Sequence, residues 1–163
     1  MRFLVLIGAL LLSCGASAQP YPAKPVRVVV AFPAGGIADI YARIISSRVA
    51  ESWGQPVVVE NRTGAGGNIA AEHVARSAPD GYTLLMGSIG THAVNVSLFT
   101  KLPFDPVKDF APIALVLEAE GLLVVHPSIP STTVAELITY AQANPGKLTF
   151  ASAGRGTASH LAG

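Results

Sequence analysis

The 163-residue sequence is half hydrophobic, and its eleven Lys and Arg nearly balance ten Asp and Glu, with neither a basic run nor a charged tail. That balance argues against nucleic acid as a partner. The one cysteine, Cys14, sits in an N-terminal segment expected to be removed, which excludes disulfides, thiolate catalysis and Cys-containing metal sites from the remainder.

That segment, residues 1–18, has the make-up of a secretory signal peptide. Arg2 gives a positive start, Phe3–Leu12 an apolar run, and Ala16-Ser17-Ala18 a small-residue cleavage site before Gln19. The run is too short to span a bilayer. Leu11-Leu12-Ser13-Cys14 is similar to a bacterial lipoprotein box but fits it poorly at Leu12, so lipid anchoring at Cys14 is the lesser alternative to cleavage after Ala18. Cleavage takes Arg2 from the eleven basic residues and leaves ten against ten acidic ones. A soluble exported protein is expected.

Val26–Phe32 is almost continuously apolar, the pattern of a strand covered on both faces. A helix is predicted from Gly36, with Ile37, Ile40, Tyr41, Ile44, Ile45, Val49 and Trp53 on one stripe and Gly54 and Pro56 ending it. Pro56–Glu60 is predicted as the second strand, 61–68 as a loop, Ile69–Ser77 as a short helix, and Tyr82–Met86 as a third strand after the Pro79-Asp80-Gly81 turn. A helical turn to Phe99 and an irregular stretch, Leu102–Pro112, follow. Ile113–Leu117, Leu122–Val125 and Leu148–Ala151 are predicted strands. Thr133-x-x-Glu136 is a capping box opening a helix to Asn144, which Pro145-Gly146 closes. The chain stops where another helix is starting, as a fragment of a longer chain would.

Alternation of strand and helix gives an α/β class with a mainly parallel sheet. Ligands of such sheets sit outside the carboxyl ends of the strands. Four loops share that address: 33–39, 63–68, 87–91 and 152–159, all rich in Gly, Ser, Thr or Ala. Glycines let a ligand approach the backbone, and helix N-termini offer unpaired N–H groups suited to an anion. Together they predict a backbone-lined anion pocket. Asp39 has two readings, a first-turn helix residue favoured by the macrodipole or a pocket residue meeting a donor on the ligand.

His73, His92, His126 and His160 are too scattered for a metal site, and only His92 and His160 lie beside pocket loops. Ser152, Thr157 and Ser159 fit hydroxyl donors to a carboxylate better than a hydrolase nucleophile, since no Gly-x-Ser-x-Gly elbow is present. Glu118 and Glu120 would face opposite sides of a strand, which spoils them as an acid–base pair. A dinucleotide-binding oxidoreductase is the further alternative, but Pro33-Ala34-Gly35-Gly36 is not Gly-x-Gly-x-x-Gly. An exported hydrolase stays open as a second class.

Phe32-Pro33-Ala34-Gly35-Gly36 with Asp39, Glu60-Asn61-Arg62, Gly64-Ala65-Gly66-Gly67, Ala78-Pro79-Asp80-Gly81-Tyr82-Thr83-Leu84 and Phe150-Ala151-Ser152 through His160-Leu161-Ala162-Gly163 resemble the Bug family. These are the periplasmic solute receptors of tripartite tricarboxylate transporters. The resemblance runs from about Tyr21 to the last residue. Ile37-Ala38, Thr63 and Arg155 depart from the residues usual there. It implies a non-enzymatic, cofactor-free, two-lobed Venus-flytrap binding protein of the periplasm, about twice this length. It would capture a small dicarboxylate, tricarboxylate or amino acid and pass it to a membrane permease. Residues 19–120 would then belong to the first lobe and 121–163 would begin the second. By position, Ala34, Gly35, Gly36 and Asp39 correspond to the first binding loop, Ser88 and Thr91 to its neighbour, and Ser152, Gly154, Gly156, Thr157 and His160 to the opposite lobe.

Overall fold

A computed structural model describes residues 20–163; the leader, with Cys14, lies outside them. Three strands, β1 (Val26–Val30), β2 (Val57–Asn61) and β3 (Thr83–Met86), form one parallel sheet in the order β2-β1-β3. β1 is the middle strand, pairing Val30 with Asn61 on one side and with Met86 on the other. Being covered on both faces explains its valines, interrupted by exposed Arg27: Val26, Val29 and Val30 are fully buried. The core continues through Ala31 and Ala70, with Phe32, Val74 and Leu85 packed against it.

Helix α1 (Ile37–Trp53) follows β1 and packs on β1 and β2, while α2 (Asn68–Ala75) packs on β3 and β1. α1 ends where Gly54, at φ +63°, returns its N–H to the Ala50 carbonyl, a left-handed stop that glycine makes without strain. A 3-10 turn, Ala65–Gly67, opens α2, and a π turn, Gly90–Val94, runs into the short α3 (Asn95–Leu98). Later come α4 (Val134–Ala143) and α5 (Ala158–Ala162). The predicted capping box opens α4: Thr133 accepts the Glu136 N–H, and the Glu136 carboxylate accepts the N–H of Thr133.

At the amino ends of the strands, Tyr21 stacks edge-on against Trp53 (5.7 Å between ring centres) and tilts against Tyr82 (5.1 Å). Lys24 lies 4.3 Å above the Tyr82 ring and pairs with Asp80 at 3.2 Å. A cavity of about 380 Å³ opens there, lined by Lys24, Pro25, Arg27, Asp80, Tyr82 and Thr83 among others.

Two sequence expectations are corrected. First, an apolar stripe on a helix ordinarily faces the core, but α1 buries Asp39, Ala42 and Ser46 instead. Ile37, Ile40, Tyr41 and Ile44 are exposed. Small side chains let the helix approach the sheet closely, and the hydrogen bonds of Asp39 fix its rotation. Second, Ile113–Leu117, Leu122–Val125 and Leu148–Ala151 form no strands. A strand needs a neighbour for its backbone N–H and C=O groups. These segments find none among the described residues, and Leu122 stays 89% exposed.

Candidate functional site

The strand order fixes where a ligand would sit. The chain leaves β1 through α1 toward β2, then crosses back through α2 to β3 on the other side of β1. The connections therefore diverge between the carboxyl ends of β1 and β3, and such a switch point opens a crevice. The turn Phe32–Gly36 leaves β1 and residues 87–91 leave β3 at that crevice.

The first turn is exposed from Pro33 to Gly36. Hydrogen bonds rather than packing give it its shape. Gly35, at φ +83°, donates its N–H to Asp39 Oδ2 at 2.9 Å, and Gly36 donates to the Pro33 carbonyl at 3.3 Å. Gly36 provides no side-chain cap for α1. The first-turn amides of Ile37 and Ala38 thus have no acceptor within the helix, and they are the groups suited to an anion.

Asp39 is turned away from the crevice. Only 3% of it is exposed. Its carboxylate accepts Arg43 Nε at 3.0 and 3.1 Å and Asn61 Nδ2 at 2.9 Å, and it meets Arg43 Nη2 at 3.0 Å. The hydrogen bond from Arg43, then those from Gly35 and Asn61, hold its carboxyl well below the usual carboxylate range. Asn61 also donates to the Phe32 carbonyl at 3.0 Å and accepts Arg43 Nη2 at 3.1 Å.

Across the crevice, Ser88 and Thr91 form a closed hydroxyl loop. Thr91 Oγ1 accepts the Ser88 N–H at 3.0 Å and lies 3.1 Å from the Ser88 carbonyl. It also lies 2.8 Å from His92 Nδ1. Thr91 is fully buried and Ser88 half-buried. Burial pushes the His92 imidazole below its ordinary value, with a hydrogen bond to the Ser88 backbone working the other way. The His92 ring packs edge-on against Phe110 at 4.9 Å.

The 152–157 loop lies against these elements. Gly156 is buried on Asn95, and a side chain at Gly66 would strike the Arg155 carbonyl. Asn95 itself donates to the Gly66 carbonyl at 3.0 Å and to Asn68 Oδ1 at 2.6 Å. Thr157 caps α5 by accepting the His160 N–H, and its hydroxyl donates to the Gly154 carbonyl at 2.7 Å.

Known proteins share this fold. A profile described as tripartite tricarboxylate transporter family receptor matches residues 41–163. The chain belongs to this receptor family. Protein BugT of Bordetella pertussis is 39% identical over 165 residues, which take in 98% of this chain and 51% of BugT. The solved structure of R. palustris Rpa4515 with adipate superposes with a TM-score of 0.81 at 40% identity, covering 86% of this chain and 47% of Rpa4515. MatC (Rpa3494) from Rhodopseudomonas palustris, with bound malate, gives 0.70 at 44% identity over 75% of this chain and 42% of MatC. The chain spans about half the length of the curated relatives it matches. As a transporter-receptor family, it supports neither the hydrolase nor the dinucleotide alternative.

The expected site residues separate into two sets. Ala34, Gly35, Gly36, Ser152 and Gly154 are exposed, and Ser88, Thr157 and His160 are partly so. Asp39, Thr91 and Gly156 are buried behind them. Gly67 brings the two sides of the crevice close, since a Cβ there would stand 2.7 Å from Thr91 and 3.1 Å from Ala31. Among the described residues no group of three or more His, Cys, Asp or Glu could hold a metal. Sequence reasoning gave no role to Arg43, Asn61 or Asn95. Arg43 was within reach, because Asp39 and Arg43 stand four apart on a helix, the spacing of a side-chain pair. Nothing local marks Asn95, whose partners are more than twenty-five residues away.

Proposed function

We propose that this chain is the ligand-capturing part of an extracytoplasmic receptor that takes a small organic carboxylate and delivers it to the membrane permease of a tripartite tricarboxylate transporter. The observation that carries the reading is the uncapped first turn of α1, opening at the switch point of a parallel sheet. A carboxylate there accepts the free amides of Ile37 and Ala38 beside the exposed backbone of Ala34, Gly35 and Gly36, and gains from the helix macrodipole. Ser88 supplies a hydroxyl from the β3 side. Ser152, Gly154 and Thr157 approach from the 152–157 loop and His160 from α5, with residues 121–163 as the start of a second lobe. Thr91 and Gly156 act from behind, as supports. The bound adipate and malate of the two structural relatives support a carboxylate as the ligand class. Export by the 1–18 leader to the periplasm completes the reading; among the described residues no helix is long and apolar enough to cross a membrane.

The test is a thermal-shift screen of dicarboxylates, tricarboxylates and acidic amino acids on the full chain. A ligand at a hundredfold over its dissociation constant stabilises the fold by ~2.7 kcal/mol. A ligand found this way should lose affinity at least tenfold in Gly36→Val. Gly36 has φ −75°, so valine strains no backbone angle there; it places bulk at the helix entrance, with its Cβ 3.3 Å from the Pro33 carbonyl. A flat screen across all three classes would sink the carboxylate reading.

A further inference from the structure

Asp39 was a candidate ligand contact, yet its acceptor capacity is already filled. An ionised carboxylate offers about four lone-pair sites, and Gly35 N–H, Asn61 Nδ2, Arg43 Nε and Arg43 Nη2 converge on this one. The donors come from three different places. Gly35 belongs to the turn, Arg43 lies one helical turn inside α1, and Asn61 closes β2, in register with Val30. Asn61 reaches the turn a second time through the Phe32 carbonyl. The turn itself has little else to hold it. Pro33 to Gly36 are exposed, and nothing lies within 4 Å of where a Cβ on Gly35 would stand. Charge gives a second argument. A bare Asp39 in the first turn would repel an anion at that same turn, and the Arg43 guanidinium cancels it.

We propose that Arg43 and Asn61, joined through Asp39, are positioning residues: they hold the Phe32–Gly36 turn in its anion-accepting shape and neutralise Asp39 toward the ligand, without touching the ligand. This rests on the carboxylate reading above. The two residues act differently. Asn61 fixes geometry, so its loss lowers the fraction of molecules with a competent turn, and apparent affinity falls by that fraction. Arg43 fixes geometry and also removes repulsion, so part of its effect is screened by salt.

The experiment takes the full chain as wild type, Asn61→Ala, Arg43→Gln and, as a control on the same helix, Arg48→Gln, whose side chain pairs with exposed Glu51. Each is confirmed folded by circular dichroism at 25 °C. Titration calorimetry with L-malate and with adipate is run at low and at 0.5 M salt, and hydrogen exchange is followed by mass spectrometry without ligand. The expected result is a roughly tenfold or greater loss of affinity in Asn61→Ala and Arg43→Gln and none in Arg48→Gln. The Arg43→Gln loss should shrink at high salt, and the Asn61→Ala loss should not. Exchange over 32–38 should speed up in Asn61→Ala while β1 and α2 stay protected. A role in general stability alone would move neither the salt dependence nor this local exchange. Unchanged exchange over 32–38 in folded Asn61→Ala overturns the proposal, as does faster exchange with unchanged affinity. If wild type binds neither probe, the carboxylate reading falls for these probes, and the exchange result alone then upholds or overturns the clamp.

Discussion

At Gly156 a Cβ would stand 2.5 Å from the buried Oδ1 of Asn95, and φ there is +84°, a region that L side chains rarely adopt. Gly156→Ala should therefore destabilise the chain by more than ~1 kcal/mol in urea denaturation. Asn95→Ala leaves the Gly66 carbonyl and Asn68 Oδ1 without their donor, which should cost ~1–3 kcal/mol. It also vacates the space a Cβ at 156 needs. The double variant should accordingly lose less than the sum of the two, and strict additivity would show that the loops do not meet as described. Asp39 contributes to acid sensitivity. Its carboxyl titrates below the usual range in the folded protein, so it contributes stability above its unfolded value of about 4. That contribution fades as pH falls through the folded value. Asp39→Asn should flatten the acid limb of a stability-versus-pH curve measured by denaturant melts. The full loss should be seen at pH 7, and only its pH-insensitive part at acid pH, where the wild-type carboxyl is protonated too. Little of this was legible beforehand. A carboxylate at the start of a helix looks the same in sequence whether it faces a ligand or is tied down from behind.

On the scale of the elements, α1 shows how a correct helix can be read with the wrong face inward. The Ile stripe has the right spacing for a core face, but a parallel sheet edge rewards close approach, and Ala42 and Ser46 permit it where isoleucines do not. Ala42→Leu should overpack this contact and cost ~1–3 kcal/mol, while Ile40→Ser on the exposed side should stay within ~0.5 kcal/mol of wild type. Chemical denaturation of the two variants decides, and a reversed order would put the stripe back in the core. By contrast, the three strands of the sheet, their parallel sense and the α4 capping box were legible, because each rests on local signals: valine runs, turn residues and the Thr133–Glu136 spacing. Thr133→Ala should remove the cap, worth ~1 kcal/mol in helix stability.

At the scale of the whole molecule, regular structure is concentrated before residue 99 and in two later helices. Residues 113–117 and 122–125 are apolar enough to predict strands, yet Ile113, Leu115, Leu122, Leu123 and Val124 are largely exposed. Hydrophobic runs tell of a propensity to be covered but not of the partner that covers them, so the sequence signal outran what the described residues form. Exposed backbone without ladder hydrogen bonds is where proteases cut first. Brief chymotrypsin digestion should cleave at Leu115, Leu122 or Leu123 before any bond in α1 or the sheet, as read by intact mass. First cuts within α1 would contradict the packing assigned to it. The loops after β1, β2 and β3 were legible as loops, since glycine, serine and threonine after a strand mark where backbone can stay open. Their support from Arg43, Asn61 and Asn95 was not, because it is built from contacts between distant segments.

The position of Trp53 decides how this protein can be watched at work. It is the one tryptophan of the sequence, and it sits at the far end of α1, edge-on to Tyr21. It is the last of the seventeen residues of α1, which puts it about 25 Å from the turn at 1.5 Å per residue. Its emission should stay constant while the crevice fills, so an optical signal of ligand capture has to be engineered, for instance with a tryptophan at exposed Ile89 beside Ser88. Meanwhile the native indole remains an undisturbed internal standard for the folded state.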